Sequence, residues 1–247
     1  MKGVLRWLMW SAVALVALQL FFVARIACMA VLAPESTTFQ RSEAWRIRVD
    51  KGELRWRQQW VDYSRISDHL KRAVIASEDD GFSNHDGVDW DALEKAWEKN
   101  ARAEQRAAAR KPGNPGKAPA PARAPKIVGG STITQQLAKN LFLSGERTLV
   151  RKGQEFVLTL VLEAFLSKQR ILEIYLNNVE WGEGVFGAQA AAQHYFRKPA
   201  SQLTAYEAAR LAVMLPRPRY FEKLPNSGYL AHRAGVITAR MGDAQLP

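Results

Sequence analysis

Eighteen consecutive uncharged residues, WLMWSAVALVALQLFFVA, lie between Arg6 and Arg25. As a helix rising about 1.5 Å per residue the run extends roughly 27 Å, close to the ~30 Å hydrocarbon core of a bilayer. Nothing in it supplies the polar face that a helix packed on a soluble domain needs. Lys2 and Arg6 precede the run and Trp7 and Trp10 stand near its start, as expected for a cytoplasmic N-terminus with an aromatic belt. A cleaved signal peptide also begins basic, but its apolar core is typically only about 7 to 15 residues. Here apolar character resumes after Arg25 through IACMAVLA, and Arg25 is placed to snorkel to the outer interface. The sequence thus predicts a cytoplasmic tip and one transmembrane helix within residues 1–33, with the remaining chain outside the cytoplasm.

Roughly 200 residues follow, enough for one domain with a sizeable core and too few for two large ones. The formal charge of +11 attracts anionic lipid headgroups, phosphate-bearing substrates or nucleic acid, without choosing among them. The single cysteine, Cys28, sits in the apolar N-terminus, which excludes an internal disulfide and a cysteine metal site.

Residues 34–66 read as a juxtamembrane segment. Its alternations WRIRV (residues 45–49) and LRWRQQWV (residues 54–61) predict one or two short strands whose arginines face lipid phosphates or solvent. Ser67 then offers the N-cap of a helix that delivers Glu78 at its far end. Asp89 to Arg110 begins as a second amphipathic helix and becomes alanine- and arginine-rich, and the alanine- and proline-rich stretch of about 101–126 reads as a mobile insert. Helical periodicity dominates afterwards: from about Thr132, from Arg147 to Leu166, from Lys168 to Asn177, and from the capping box of Thr204 and Glu207 to a stop before Pro216. The expectation is a mainly α domain with a minor β element over residues 67–240, and a short tail at 241–247.

Three polar clusters interrupt these helices. In EDDGFSNHDG, Glu78 to Gly87, a carboxylate at a helix C-terminus opposes the macrodipole, so charge and partial desolvation both raise its proton affinity. That suits a general base or acid, although an isolated acidic turn is more often a solvated surface feature. In GGSTITQQLAKN, Gly129 to Asn140, glycines allow close backbone approach, Ser131 and Thr132 can cap a helix, and the exposed amides favour an anion. Gln135 and Gln136 add donors, and Lys139 lies one turn beyond Gln135. Ordinary capping explains such a helix start as well. In ERTLVRKGQE, Glu146 to Glu155, Arg147, Arg151 and Glu155 follow at four-residue steps and share a helical face, either as a row of guanidiniums leading to a carboxylate or as a surface ladder. Lys152, about 100° round the helix from Arg151, is expected to reach a neighbouring surface.

Taken in order, these clusters resemble the signature segments of the family 51 peptidoglycan glycosyltransferases, found alone or as the first catalytic domain of class A penicillin-binding proteins. The likeness continues through KQRILEIYLNNVEWGEGVFG (Lys168 to Gly187) and AAAQHYFRKPASQLTAYEAARLAVMLPRP (Ala190 to Pro218), and reaches back to about Trp60. It implies a helical, partly lysozyme-like glycosyltransferase domain whose cleft opens beside the membrane, with a small hydrophobic lobe dipping into it. It implies polymerisation of lipid II into β-1,4-linked glycan strands with release of undecaprenyl diphosphate. By resemblance Glu78 is the base, Asp79, Phe82, His85 and Gly87 complete its motif, and His85 is a structural hydrogen bonder. Glu155 matches a second essential glutamate near the donor diphosphate, acting through a metal or neighbouring basic groups such as Lys152. Lys139, Arg147 and Arg151 match phosphate-binding positions, and Ser131, Thr132, Gln135, Gln136 and Asn140 match the donor-site lining.

The same likeness implies no required cofactor and leaves open a divalent cation, Mg or Mn, at the donor diphosphate. Its expected partners are lipid II, the growing lipid-linked chain, the membrane and other cell wall synthesis proteins, with no nucleic acid. The expected location is the bacterial inner membrane, single-pass, with the catalytic domain periplasmic and no transpeptidase activity. A lysozyme-like hydrolase would gain nothing from a diphosphate cradle. A membrane-tethered scaffold or nucleic-acid binder would account for the charge, but aromatic stacking motifs are missing.

Overall fold

In the computed structural model, which describes residues 2–108, 130–146 and 148–247, the apolar N-terminus is one helix, α1 (Lys2–Cys28). Its length and apolarity suffice to cross a membrane, and nearly all of its apolar window is uncovered by protein. Only its last turns join the core, through Ile26 and Met29.

Residues 45–49, expected as a strand, belong instead to α2 (Thr38–Lys51). Both ends of that helix are fixed by local chemistry: Thr37 and Gln40 form a reciprocal capping box, and Gly52, at φ +73°, closes the far end. Trp45 and Val49 are exposed and only Ile47 is buried, so the alternation never marked a buried sheet face. The second expected strand survives in part as β1 (Arg57–Gln58).

α3 (Asp68–Glu78) begins at the Ser67 cap, as expected. α4 (Trp90–Ala108) runs through the first part of the predicted insert. Alanine and arginine are strong helix formers, and no proline occurs between Trp90 and Lys111, so residues 101–108 stay helical. The rest of the insert lies outside the described residues. α5 (Ile133–Phe142), α6 (Leu149–Phe165) and α7 (Lys168–Asn178) follow, each with a threonine or serine N-cap. β2 (Glu180–Gly182) and β3 (Val185–Phe186) form a tight antiparallel pair. β1 joins β3 in parallel, Arg57 opposite Val185, so β3 is the middle of three strands. α8 (Ala188–Phe196), α9 (Ala205–Met214), α10 (Pro218–Glu222) and α11 (Gly228–Arg240) complete the described chain, with the predicted Thr204–Glu207 capping box starting α9. α3 packs on α9 and α11, and α5 packs on α6.

Helix α6 also carries exposed apolar side chains: Leu149 and Val150 are 92% and 84% exposed, and the partly covered Phe156, Val157 and Leu160 follow along it. The Trp90 ring of α4 meets Phe156 edge-on at 6.3 Å, and Leu93 and Trp97 extend the same surface. α1 packs on α6 as well, so this apolar surface stands beside the membrane-spanning candidate.

Asn177 holds the segment before α3 in place. Its buried amide donates to Val61 O and Glu173 O at 2.9 Å, and its Oδ1 accepts from Val61 N–H at 2.9 Å, as a neighbouring strand would. Asn177→Ala strands both backbone groups of Val61. The expected cost is roughly 3 kcal/mol, a fall of about 6–12 °C in the calorimetric unfolding midpoint.

Candidate active site

Glu78 is the last residue of α3, and the helix ends there because Asp79 leaves helical geometry at φ −164°. Asp79 is buried and both of its oxygens are engaged. Oδ2 accepts from Ile133 N–H at 2.9 Å, at the positive end of α5, and Oδ1 lies 2.8 Å from His85 Nε2. Gly87 N–H donates to His85 Nδ1 at 3.1 Å, so the ring hydrogen sits on Nε2 and points at Asp79. His85 therefore orients Asp79. Gly87 has φ +85°, and a Cβ there would lie 2.7 Å from Thr159 of α6, so only glycine lets this loop close on α6. Its carbonyl accepts from Thr132 Oγ1 at 2.6 Å, while Phe82 is buried beneath the turn.

Gln136, on the first turn of α5, donates from Nε2 to Glu78 Oε2 at 3.0 Å. Its Oε1 accepts from the buried Tyr175 hydroxyl at 2.9 Å, which fixes the amide so that nitrogen faces Glu78. Burial raises the Glu78 carboxyl above its ordinary value, and the Asp79 charge adds to this; the Gln136 bond and the Lys139 charge oppose it. Gln135, expected beside Gln136 in the lining, is buried instead and turns back into the Thr132 capping box.

On α6, Glu155 is buried beside Arg151 Nη1 at 3.5 Å and Lys152 Nζ. Lys152 thus reaches Glu155 across one turn rather than a neighbouring surface, because residues three apart share a helical side. Arg147 lies outside the described residues; within α6, which begins at Leu149 after its Thr148 cap, the four-residue step joins Arg151 to Glu155. Arg151 Nε is buried with no hydrogen-bond partner among the described residues. The Lys139 ammonium is held below its usual value, first by desolvation and then by Arg151 and Lys152, while Glu155 and Glu78 pull it back up.

Two cavities are lined by these groups. One, of about 340 Å³, is lined by Glu78, Asp79, Ser131, Thr132 and the α4 lysines Lys95 and Lys99. The other, of about 460 Å³, is lined by Gln136, Lys139, Asn140, Arg151 and Glu180. Gln136 joins them, since it lines the second and hydrogen-bonds the carboxylate that lines the first. Glu180 was not singled out by its sequence position. It is a buried carboxylate raised by desolvation and held by Arg219 at 2.8 and 3.1 Å. Tyr175 likewise sits in a stretch that reads as ordinary core, with no spacing signal for a site residue.

Among the described residues a divalent cation finds no ready set of donors here. Asp79, His85 and Asp89 lie close enough to share an ion. Yet both Asp79 oxygens and His85 Nδ1 already serve hydrogen bonds. Glu155 is one carboxylate between two cations, unlike the oxygen cages that hold Mg or Mn.

A family model described as Transglycosylase matches residues 48–109 and 120–242. The break in that match falls inside the alanine- and proline-rich stretch. A biosynthetic peptidoglycan transglycosylase of Burkholderia thailandensis is 51% identical over 250 residues, covering 100% of this chain and 90% of that protein. Its counterpart in Herminiimonas arsenicoxydans is 50% identical over 248 residues, covering 100% and 99%. That of Burkholderia vietnamiensis is 49% identical over 249 residues, covering 99% and 94%. Likeness of this extent, from the apolar helix to the last one, makes the chain a member of the peptidoglycan transglycosylase family, a family of glycosyltransferases.

Proposed function

We propose that the paired cavities join lipid-linked disaccharides into glycan strands, with Glu78 as the base and the cations of α5 and α6 as the holders of the donor diphosphate. The observation that carries this reading is the Gln136 link, which sets a carboxylate of raised proton affinity beside a cavity walled by Lys139 and Arg151. The acceptor's C4 hydroxyl gives its proton to Glu78. Its oxygen attacks the anomeric carbon of the donor, the bond to the diphosphate breaks with inversion, and undecaprenyl diphosphate leaves with the electron pair. Lys139 and Arg151 stabilise the charge gathered by the leaving group without reorganising, and the free Nε–H of Arg151 suits a phosphate oxygen. Glu155 holds Arg151 and Lys152 in position. A hydrolase would have no use for this cationic wall.

The anchor reading fits the same chemistry, since the donor is a lipid. α1 crosses the bacterial inner membrane once, its basic tip cytoplasmic and the catalytic domain periplasmic. The exposed apolar surface of α6 and α4 then faces the outer leaflet, where lipid II and the growing chain reside.

Purified protein incubated with labelled lipid II in detergent is expected to make polymer. Glu78→Gln is expected to lose roughly 100- to 10,000-fold in rate at unchanged lipid binding, and polymer persisting in that variant would reject Glu78 as the base. Because the base must be ionised, the rate falls as pH falls, with an acid limb above the ordinary carboxylate value of 4.5. Gln136→Ala removes a hydrogen bond to the ionised form, so the limb in a kcat/KM profile moves to still higher pH.

The same burial has a stability consequence. A carboxyl whose folded pKa is raised favours folding when protonated, and that contribution is lost as pH rises through the folded value. Glu78→Gln therefore unfolds at a higher temperature than the parent at pH 8, and the gap closes as pH falls to 4.5 and below. An unchanged or lower midpoint at pH 8 would contradict the desolvation account.

A further inference from the structure

Every described residue of α1 from Lys2 to Leu18 is exposed, and Gln19 is the first that the domain covers. Its amide exchanges two hydrogen bonds with that of Gln154 on α6: Gln19 Nε2 donates to Gln154 Oε1 at 3.1 Å, and Gln154 Nε2 donates to Gln19 Oε1 at 3.1 Å. The partners stand 135 positions apart in the chain. Gln19 precedes Arg25 by six residues, about 9 Å of helical rise. With Arg25 at the outer interface, the amide pair lies at hydrocarbon depth, where an unpaired amide has no water to turn to.

Beyond this pair the contact continues to the end of the helix. The Phe22 ring meets Phe142 edge-on at 5.4 Å, and the Arg25 guanidinium stands 5.4 Å over the same ring. Arg170 donates to the carbonyls of Met29 and Leu32 at 2.8 and 2.9 Å. The α6 side of the contact is the helix that carries the cationic wall: Gln154 adjoins Glu155 and lies three residues from Arg151.

We propose that Gln19 and Gln154 form an amide clasp, closed within the membrane, that fixes the spanning helix on α6 and so sets the height and angle of the cationic wall over the lipid-linked donor. Gln19 is thereby a positioning residue for a reaction it never touches. The clasp rests on α1 spanning the membrane and on the transferase reading of the groove. Apolar side chains at both positions would pack in hydrocarbon at little loss, whereas one leucine opposite one glutamine leaves an amide alone there.

The test is a double-substitution cycle on the full chain in nanodiscs of phosphatidylethanolamine and phosphatidylglycerol: parent, Gln19→Leu, Gln154→Leu and the pair together. Each single variant is expected to lower the unfolding midpoint and to cost roughly 3- to 15-fold in donor-side kcat/KM. The double variant is expected to recover most of both losses, and the acid limb of the pH profile is expected to stay in place throughout. Additive losses, or single variants that behave as the parent, would overturn the clasp. So would a moved acid limb, which would mean general distortion of the groove, or a parent that does not co-purify with the discs. A parent that makes no polymer defeats the transferase reading instead, and the four midpoints still decide the clasp.

Discussion

The candidate site depends on one buried carboxylate whose two oxygens are both engaged within the protein. Asp79 ends α3 and receives the first backbone N–H of α5, so two helices far apart in sequence meet end to end through one side chain. Placing a negative charge at the positive end of α5 offsets part of the desolvation of Asp79. His85, fixed by Gly87, occupies the other oxygen. Because α3 stops where α5 starts, Glu78 and Gln136 come within hydrogen-bonding distance without either helix bending. The same loop reaches α6 through the close approach of Gly87 to Thr159, which brings the helix of Arg151 and Glu155 to the groove.

Where the chain announces its own boundaries, the sequence was a good guide. Ser67, Thr132 and Thr204 start helices by side-chain capping, a local interaction that does not depend on the rest of the fold. The same rule explains the error at residues 45–49. Alternating apolar and basic residues suggested a strand, yet Thr37 with Gln40 and then Gly52 define a helix whose apolar residues face different ways. Capping outweighed periodicity there because the segment buries too little apolar surface for any pattern to decide its structure.

The charged residues of the proposed site are easier to pick out in the sequence than the ones that position them. Glu78, Lys139, Arg151 and Glu155 stand out by type and spacing. Whether Gln135 or Gln136 faces the groove depends on which amide the capping box consumes, and adjacent positions of like chemistry do not reveal that. Tyr175 orients Gln136 from a neighbouring helix, and Arg219 holds Glu180 from a short helix near the chain's end. Both are tertiary contacts between residues that read as core or surface when taken alone.

Electrostatics ties the two cavities into one device. Three cations, Lys139, Arg151 and Lys152, crowd the ends of α5 and α6; Arg151 and Lys152 push the Lys139 ammonium down, and Lys139 pulls the Glu78 carboxyl back toward its ordinary range. Buried Glu155 lies against Arg151 and Lys152 and cancels part of that field at its source. Burial keeps the Glu78 carboxyl above its ordinary value, and in the proposed reaction the wall beside it stays positive enough for a departing diphosphate. In the proposed reaction, removing Glu155 would free Arg151 and Lys152 from the carboxylate that holds them and so loosen the grip on the diphosphate.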